Sequence, residues 1–300
     1  MNVLLREDRA IRWVHPFAWW TWSLCAGTAA SLTSNPLALL VIAIAALCVV
    51  VTRGAHAPWA ASVSTLAKLA AIVILFRVIF QTLLGAPTGL HVAFRLPEAS
   101  LPDVLSGLRL GGVITWESLL LGTVEGMRFA AILLCIGAAT TVAAPSRLFR
   151  ALPDALATVG TVLIIAMTFV PHLVQDFTRI RRAQRLRGRS TRGIGALASA
   201  VTPVVDGAME RSLQLAAAMN GRGYGRTRAT RHRPDPWRTV ETVTIAAGFT
   251  GVAVTISVGG SNTQLQLAPL AWPALSPLYA FGLLALALPA FITPYTPRTD

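Results

Sequence analysis

Charge is what this sequence has least of. Only 13% of its 300 residues are charged while 54% are hydrophobic, and mean hydropathy is +0.60. A soluble domain carries about 25% charged residues, so about half of what would clothe a water-facing surface is missing. One or two soluble domains are thereby excluded. Lysine is nearly absent: Lys68 is the single lysine among 26 Lys and Arg. It stands in Thr65-Leu66-Ala67-Lys68-Leu69 with no glycine nearby, which excludes a Gly-Lys phosphate cradle and ATP hydrolysis by that route. The three cysteines, Cys25, Cys48 and Cys135, lie far apart in apolar runs and read as buried thiols. The five histidines (His15, His56, His91, His172 and His232) show no ligand spacing, and no Cys-x-x-Cys occurs. No metal site and no cofactor are expected.

What is present is apolar length. A span needs roughly 20 mostly apolar residues. From Trp13 to Thr52 only His15 is ionisable, and Ser34-Asn35-Pro36 breaks that run into spans near 13–33 and 37–52. The first is too long for the core of a cleaved leader, and a second follows at once, so it reads as a span. Further spans fall near 66–84 and 118–144, the latter interrupted by Glu125 and Arg128, which neutralise each other at i, i+3. No charge occurs from Thr242 to Pro297, where Gly259-Gly260-Ser261-Asn262 and Pro269, Pro273 and Pro277 separate spans near 240–258 and 274–292. Arg77 and Gln81 lie inside the third span, and a structural role is expected for both. Residues 85–117, with Pro87, Pro97 and Pro102, form a long connection with room for a short re-entrant or surface helix.

The remaining charge is one-sided. Acids number 13, leaving a net +13, and 14 arginines against Asp176, Asp206, Glu210 and Asp235 place +10 of it between Gln175 and Arg238. The positive-inside rule makes this stretch cytoplasmic, together with the N-terminus (Arg6, Arg9, Arg12) and the segment from Arg147 to Arg150. Four spans before it return the chain inside, so the apolar segment 155–171 is expected to stay at the interface, dip in and out, or pack on another apolar protein.

The basic stretch carries two amphipathic segments of like design. The first, near 172–187, follows Pro171, aligns Leu173, Phe177, Ile180 and Ala183, and closes at Arg187-Gly188. The second, near 204–222, follows Pro203, aligns Val205, Met209, Leu213 and Ala216, and closes at Arg222-Gly223. One Arg-Gly ending means little, since arginine suits a helix C-terminus and glycine the left-handed stop. Lipid attraction of a basic loop is a competing account at ~1 kcal/mol per cation. Nucleic acid is disfavoured, because few aromatics interleave the arginines. The repetition, with tips 35 positions apart, is what stands out. An arginine at a helix tip suits bidentate insertion into a carboxylate-lined groove.

Ile180-Arg-Arg-Ala-Gln-Arg-Leu-Arg187-Gly188 and Ala217-Ala-Met-Asn-Gly-Arg222-Gly-Tyr-Gly225 resemble the paired Ala-Arg-Gly signatures of the T component of energy-coupling factor (ECF) transporters, the family that includes the cobalt-transport Q-type subunits. Arg128, Thr140-Thr141 and Pro145, with Pro171 after Phe169-Val170, are similar to further positions of that family. Leu186 and Gly221 replace alanines of the two signatures, and Thr168 stands where arginine is frequent.

The resemblance implies an all-α integral membrane protein of about six spans, with a cytoplasmic coupling region between spans four and five. Its parts would be an N-terminal membrane domain (1–144), the coupling region (145–238) and a C-terminal hairpin (239–300). It further implies a non-catalytic subunit in the cell inner (plasma) membrane, linking two ABC-type ATPases to an S-type membrane subunit that captures a vitamin or transition-metal ion. ATP is then bound by the partners. Ala183, Gln184, Arg185, Arg187 and Gly188, with Asn220, Arg222, Gly223 and Tyr224, are the implied ATPase contacts. Two alternatives remain. One is a membrane-embedded enzyme acting on a lipid-linked phosphate, which lacks a clustered acid and base here. The other is a self-contained carrier, which would need inverted repeats.

Overall fold

A computed structural model describes residues 14–53, 63–84, 91–99, 110–143, 145–152, 156–188, 193–226, 237–258, 266–267, 270–271 and 276–292. The arginines expected to mark the N-terminus, and Arg228, Arg231 and Arg233, lie outside them. The elements are α1 (Pro16–Leu32), α2 (Pro36–Arg53), α3 (Val63–Leu84), β1 (Val92–Ala99), β2 (Leu110–Thr115), α4 (Trp116–Val142) and α5 (Pro145–Arg150). There follow α6 (Ala157–Leu186), α7 (Ile194–Gly221), α8 (Thr239–Val258), β3 (Gln266–Leu267), β4 (Leu270–Ala271), α9 (Pro277–Leu284), a 3-10 turn (Ala285–Ala287) and α10 (Leu288–Ile292). The chain divides into two compact units, Met1–Pro145 with Pro236–Asp300, and Ser146–Asp235.

The protein is an all-α membrane protein. Among the described residues five helices are long and apolar enough to cross a bilayer: α2, most of α3, α4, most of α6, and α8. With 17 residues, α1 sits at the short end of the spanning range. The expected last span is a broken one, an 8-residue helix and a 5-residue helix joined by the 3-10 turn.

Helices in lipid associate by close approach, so small residues mark their seams. In the first unit α4 packs on α1, α2 and α3. Buried Ala26, Ala30, Ala38, Ala46, Ala131 and Ala138 belong to this core. On α4, Gly122 and Gly126 face α3: a Cβ at Gly126 would stand 3.0 Å from the Ile74 Cα, and one at Gly122 2.9 Å from the Gln81 Cβ. Gln81 is therefore a seam residue, in line with its expected structural role. Gly126→Leu is expected to force the two backbones apart at about 1–3 kcal/mol, read as a lower melting midpoint of the detergent-solubilised chain.

Polar groups tie the helices across this core. Trp22 donates its indole N–H to the Leu286 carbonyl (3.2 Å), and the Ser23 hydroxyl donates to that of Cys135 (2.8 Å). Buried Glu241 accepts from the backbone N–H of His15 (3.3 Å) and of Arg238 (2.9 Å), joining the starts of α1 and α8.

One open segment is filled in and one expectation is corrected. The connection 85–117 holds no helix among its described residues before α4; β1 and β2 form an antiparallel hairpin pairing Val92 with Thr115 and Arg95 with Val113. Alternation in Val-Ala-Phe-Arg-Leu and β-branched residues in Val-Ile-Thr favour strands. The hairpin runs into α4 through a capping box of Thr115 and Ser118 (3.2 Å each way), and Glu117 accepts from the His91 ring nitrogen at 2.7 Å.

The correction concerns the prolines. Neither Pro171 nor Pro203 opens a helix: both lie inside α6 and α7, which begin at Ala157 and Ile194. The expected separate segment 155–171 is the first half of α6. Proline's preference for a first turn yields here because helical sequence runs through each site, from Ala157 to Leu186 and from Ile194 to Gly221. Only one rung is lost at each site, the N–H that would reach the carbonyl four residues back.

Candidate functional site

The second unit is built around α6 and α7, which pack on each other. Arg211 donates to the Asp176 carboxylate at 2.8 Å, and the Gln184 amide donates to the Ser199 hydroxyl at 3.3 Å. Arg181 lies over the Phe177 ring, 5.6 Å from its centroid.

Both helices end in the same way. On α6 the Arg187 N–H reaches the Ala183 carbonyl (3.2 Å) and the Gly188 N–H that of Arg185 (3.0 Å), with Gly188 at φ +69°. On α7 the Arg222 N–H reaches Ala218 (3.1 Å), Gly223 reaches Asn220 (2.9 Å) and Tyr224 reaches Met219 (3.0 Å), with Gly223 at φ +74°. The α7 pair of bonds, Gly223 to Asn220 and Tyr224 to Met219, is a Schellman stop. Glycine is required at both places because a side chain resists the left-handed backbone. In each helix the arginine before the glycine is the C-cap, so its guanidinium is carried at the helix tip.

The implied contact residues do not all face the same way. Ala183, Arg185, Arg187, Gly188, Asn220, Arg222 and Tyr224 are exposed, and Gly223 is half-buried. Gln184 differs: it is buried and turned to Ser199, so it holds the two helices together. Leu186, in place of the family's alanine, is 90% exposed beside Arg187. Sequence reasoning missed how far the apolar face of α7 extends. Leu197, Val201, Val205, Met209 and Leu213 are all exposed at four-residue spacing, a stripe beginning before Pro203. The signal was there in the i, i+4 repeat.

The membrane positions singled out beside them are structural in character. Arg128 donates to the Thr33 carbonyl (3.2 Å), the Ser34 hydroxyl (2.7 Å) and the Glu125 carboxylate (2.8 Å), tying α4 to the α1–α2 turn. Tyr279 donates to the Thr33 hydroxyl at 3.1 Å, bringing α9 to the same turn. Thr140 and Thr141 donate back to the carbonyls of Gly137 and Ala138 (2.9 Å each), and Pro145 starts α5. Among the described residues no three His, Cys, Asp or Glu side chains gather as a metal site would require.

Residues 12–233 match a protein family described as CbiQ, cobalt transport protein. The energy-coupling factor transporter transmembrane protein EcfT of Leuconostoc gelidum subsp. gasicomitatum is 28% identical over 192 residues, 58% of this chain and 66% of the relative. Its counterpart in Thermotoga maritima is 34% identical over 108 residues, 34% of this chain and 40% of the relative. The matched stretches thus span less than two thirds of either relative.

Proposed function

The chain belongs to the CbiQ family of cobalt transport proteins, and from that premise we propose that it couples ATP hydrolysis to import as the T component of an ECF-type transporter. One observation carries the proposal: two packed helices end in the same cap, each with an exposed arginine at its tip. Two like tips suit two like sockets, and a pair of ABC-type ATPases on the cytoplasmic side of the plasma membrane supplies them. Arg187 and Arg222 would each enter an acidic groove, where a guanidinium makes paired hydrogen bonds to a carboxylate.

The apolar stripe of α7 and the apolar first half of α6 are then the surface for a third protein, the S-type subunit that captures a vitamin or transition-metal ion. Exposed Val159, Val162 and Val170 on α6 add to that surface. Closure of the ATPase pair moves the tips, and the long helices carry the displacement to the capture subunit. This chain contributes positioning and no catalytic group.

Photo-crosslinking tests the assignment. An azido-phenylalanine at position 186 or 224 is expected to yield adducts with ATPase subunits, and one at position 209 adducts with the capture subunit. Adducts with phospholipid alone at all three positions would refute the coupling role.

A further inference from the structure

A pocket of about 430 Å³ opens between α3 and α4, lined by Val73, Phe76, Arg77, Phe80, Phe129 and Leu133. Five of those six side chains are apolar, and the sixth is an arginine inside a helix that reads as a membrane span. Its Nε is buried without a hydrogen-bond partner among the described residues. A charged group at membrane depth is costly unless something neutralises it. The other charges of α3 and α4 are accounted for or distant. Glu125 is held by Arg128, Glu117 by His91, and Lys68 lies nine positions before Arg77 on α3. The pocket itself offers no carboxylate.

The surroundings specify the missing partner. Only 11% of the spanning stretch of α3 is buried, and Phe76 (67%), Phe80 (44%) and Phe129 (50%) remain exposed around the pocket. Phe76 and Phe80 stack with ring centroids 6.0 Å apart, forming one apolar wall. Arg77 stands seven residues before Leu84, which at ~1.5 Å per residue is about 10 Å from that helix end. At that depth an arginine can extend its head toward the headgroups while its stem stays in hydrocarbon. A ligand that fits has an anion at one end and a hydrocarbon chain at the other.

We infer that this pocket is a binding site for an anionic phospholipid, with Arg77 holding the phosphate and the aromatic wall holding an acyl chain. A volume of this size is within the usual range for a ligand pocket, about 300–1,000 Å³. The site is separate from the coupling tips and does not depend on their assignment.

Native mass spectrometry of the full chain in neutral detergent tests it, with phosphatidylglycerol and phosphatidylcholine of identical acyl chains as probes and inorganic phosphate as a third arm. The wild type is expected to retain phosphatidylglycerol at least tenfold over phosphatidylcholine and to retain no inorganic phosphate. Arg77→Gln is expected to reduce the preference below twofold at an unchanged melting midpoint. Val73→Glu keeps the arginine but sets a carboxylate one turn away, and is expected to abolish the preference as well; it also serves if Arg77→Gln does not fold. A preference that survives either variant overturns the site. So does equal retention of inorganic phosphate, since the apolar wall would then play no part. Loss of capture-subunit co-purification in Arg77→Gln, with lipid retention unchanged, would assign the arginine to a protein carboxylate and overturn it equally.

Discussion

Replacing Arg187 and Arg222 together by alanine is expected to leave the chain folded in the membrane and to strip it of the ATPases proposed to dock at the two tips. Truncating one member of a buried interfacial charge pair costs about 2–5 kcal/mol, largely because the other charge is left unpaired. At about 1.4 kcal/mol per factor of ten, each substitution alone weakens docking at least about 30-fold. The fold is spared because the bonds closing both helices are made by backbone groups, Arg187 N–H to Ala183 and Arg222 N–H to Ala218. Alanine retains those bonds. Co-purification of tagged ATPases, normalised to membrane-inserted chain, reads the effect. An undiminished yield with the double variant would remove these arginines from the interface.

Arg128→Met is expected to act on the fold. It deletes donors to the Thr33 carbonyl and the Ser34 hydroxyl and leaves Glu125 unpaired with only 22% of its side chain exposed. Hydrogen bonds to charged groups contribute about 1.5–3 kcal/mol each and a broken buried pair costs more, so a loss of about 3 kcal/mol is expected, allowing for partial exposure. The distinguishing measurement is a double-mutant cycle with Glu125→Gln. The pair is expected to cost at least about 1 kcal/mol less than the sum of the singles, because the second change removes the stranded charge. Strict additivity of the two would show that the observed contact carries no energy.

What could be read in the sequence was what is decided locally. The Arg-Gly stops at 187–188 and 222–223 need only the few residues before them and a glycine with positive φ, and both are where the spacing puts them. The apolar runs located the long helices for the same reason. Helix starts were decided over a longer range. Pro171 and Pro203 each satisfy a rule for beginning a helix, yet apolar sequence reaching back to Ala157 and Ile194 overrides it. The hairpin before α4 was obscured because Pro97 reads as a loop marker; it falls in the irregular step of the pairing between Leu96 and Ala99. Arg128 shows the limit most plainly. Its bond to Glu125, three positions away, follows from helix geometry; its bonds to Thr33 and Ser34, some 95 positions back, needed the assembled bundle. Gln184, which the signature places at the tip, is spent on Ser199 instead.

The two internal prolines also set how the coupling unit flexes. Each withholds one helical bond, the one that would reach Met167 on α6 and Ser199 on α7, because the ring nitrogen has no hydrogen to give. A helix missing one such bond bends there more easily than elsewhere. Pro171 falls midway along α6, between its apolar half and its arginine-bearing half. Under the proposed coupling role, a push at the tip would become a change of angle at this joint, much as a jointed linkage turns a stroke into a tilt.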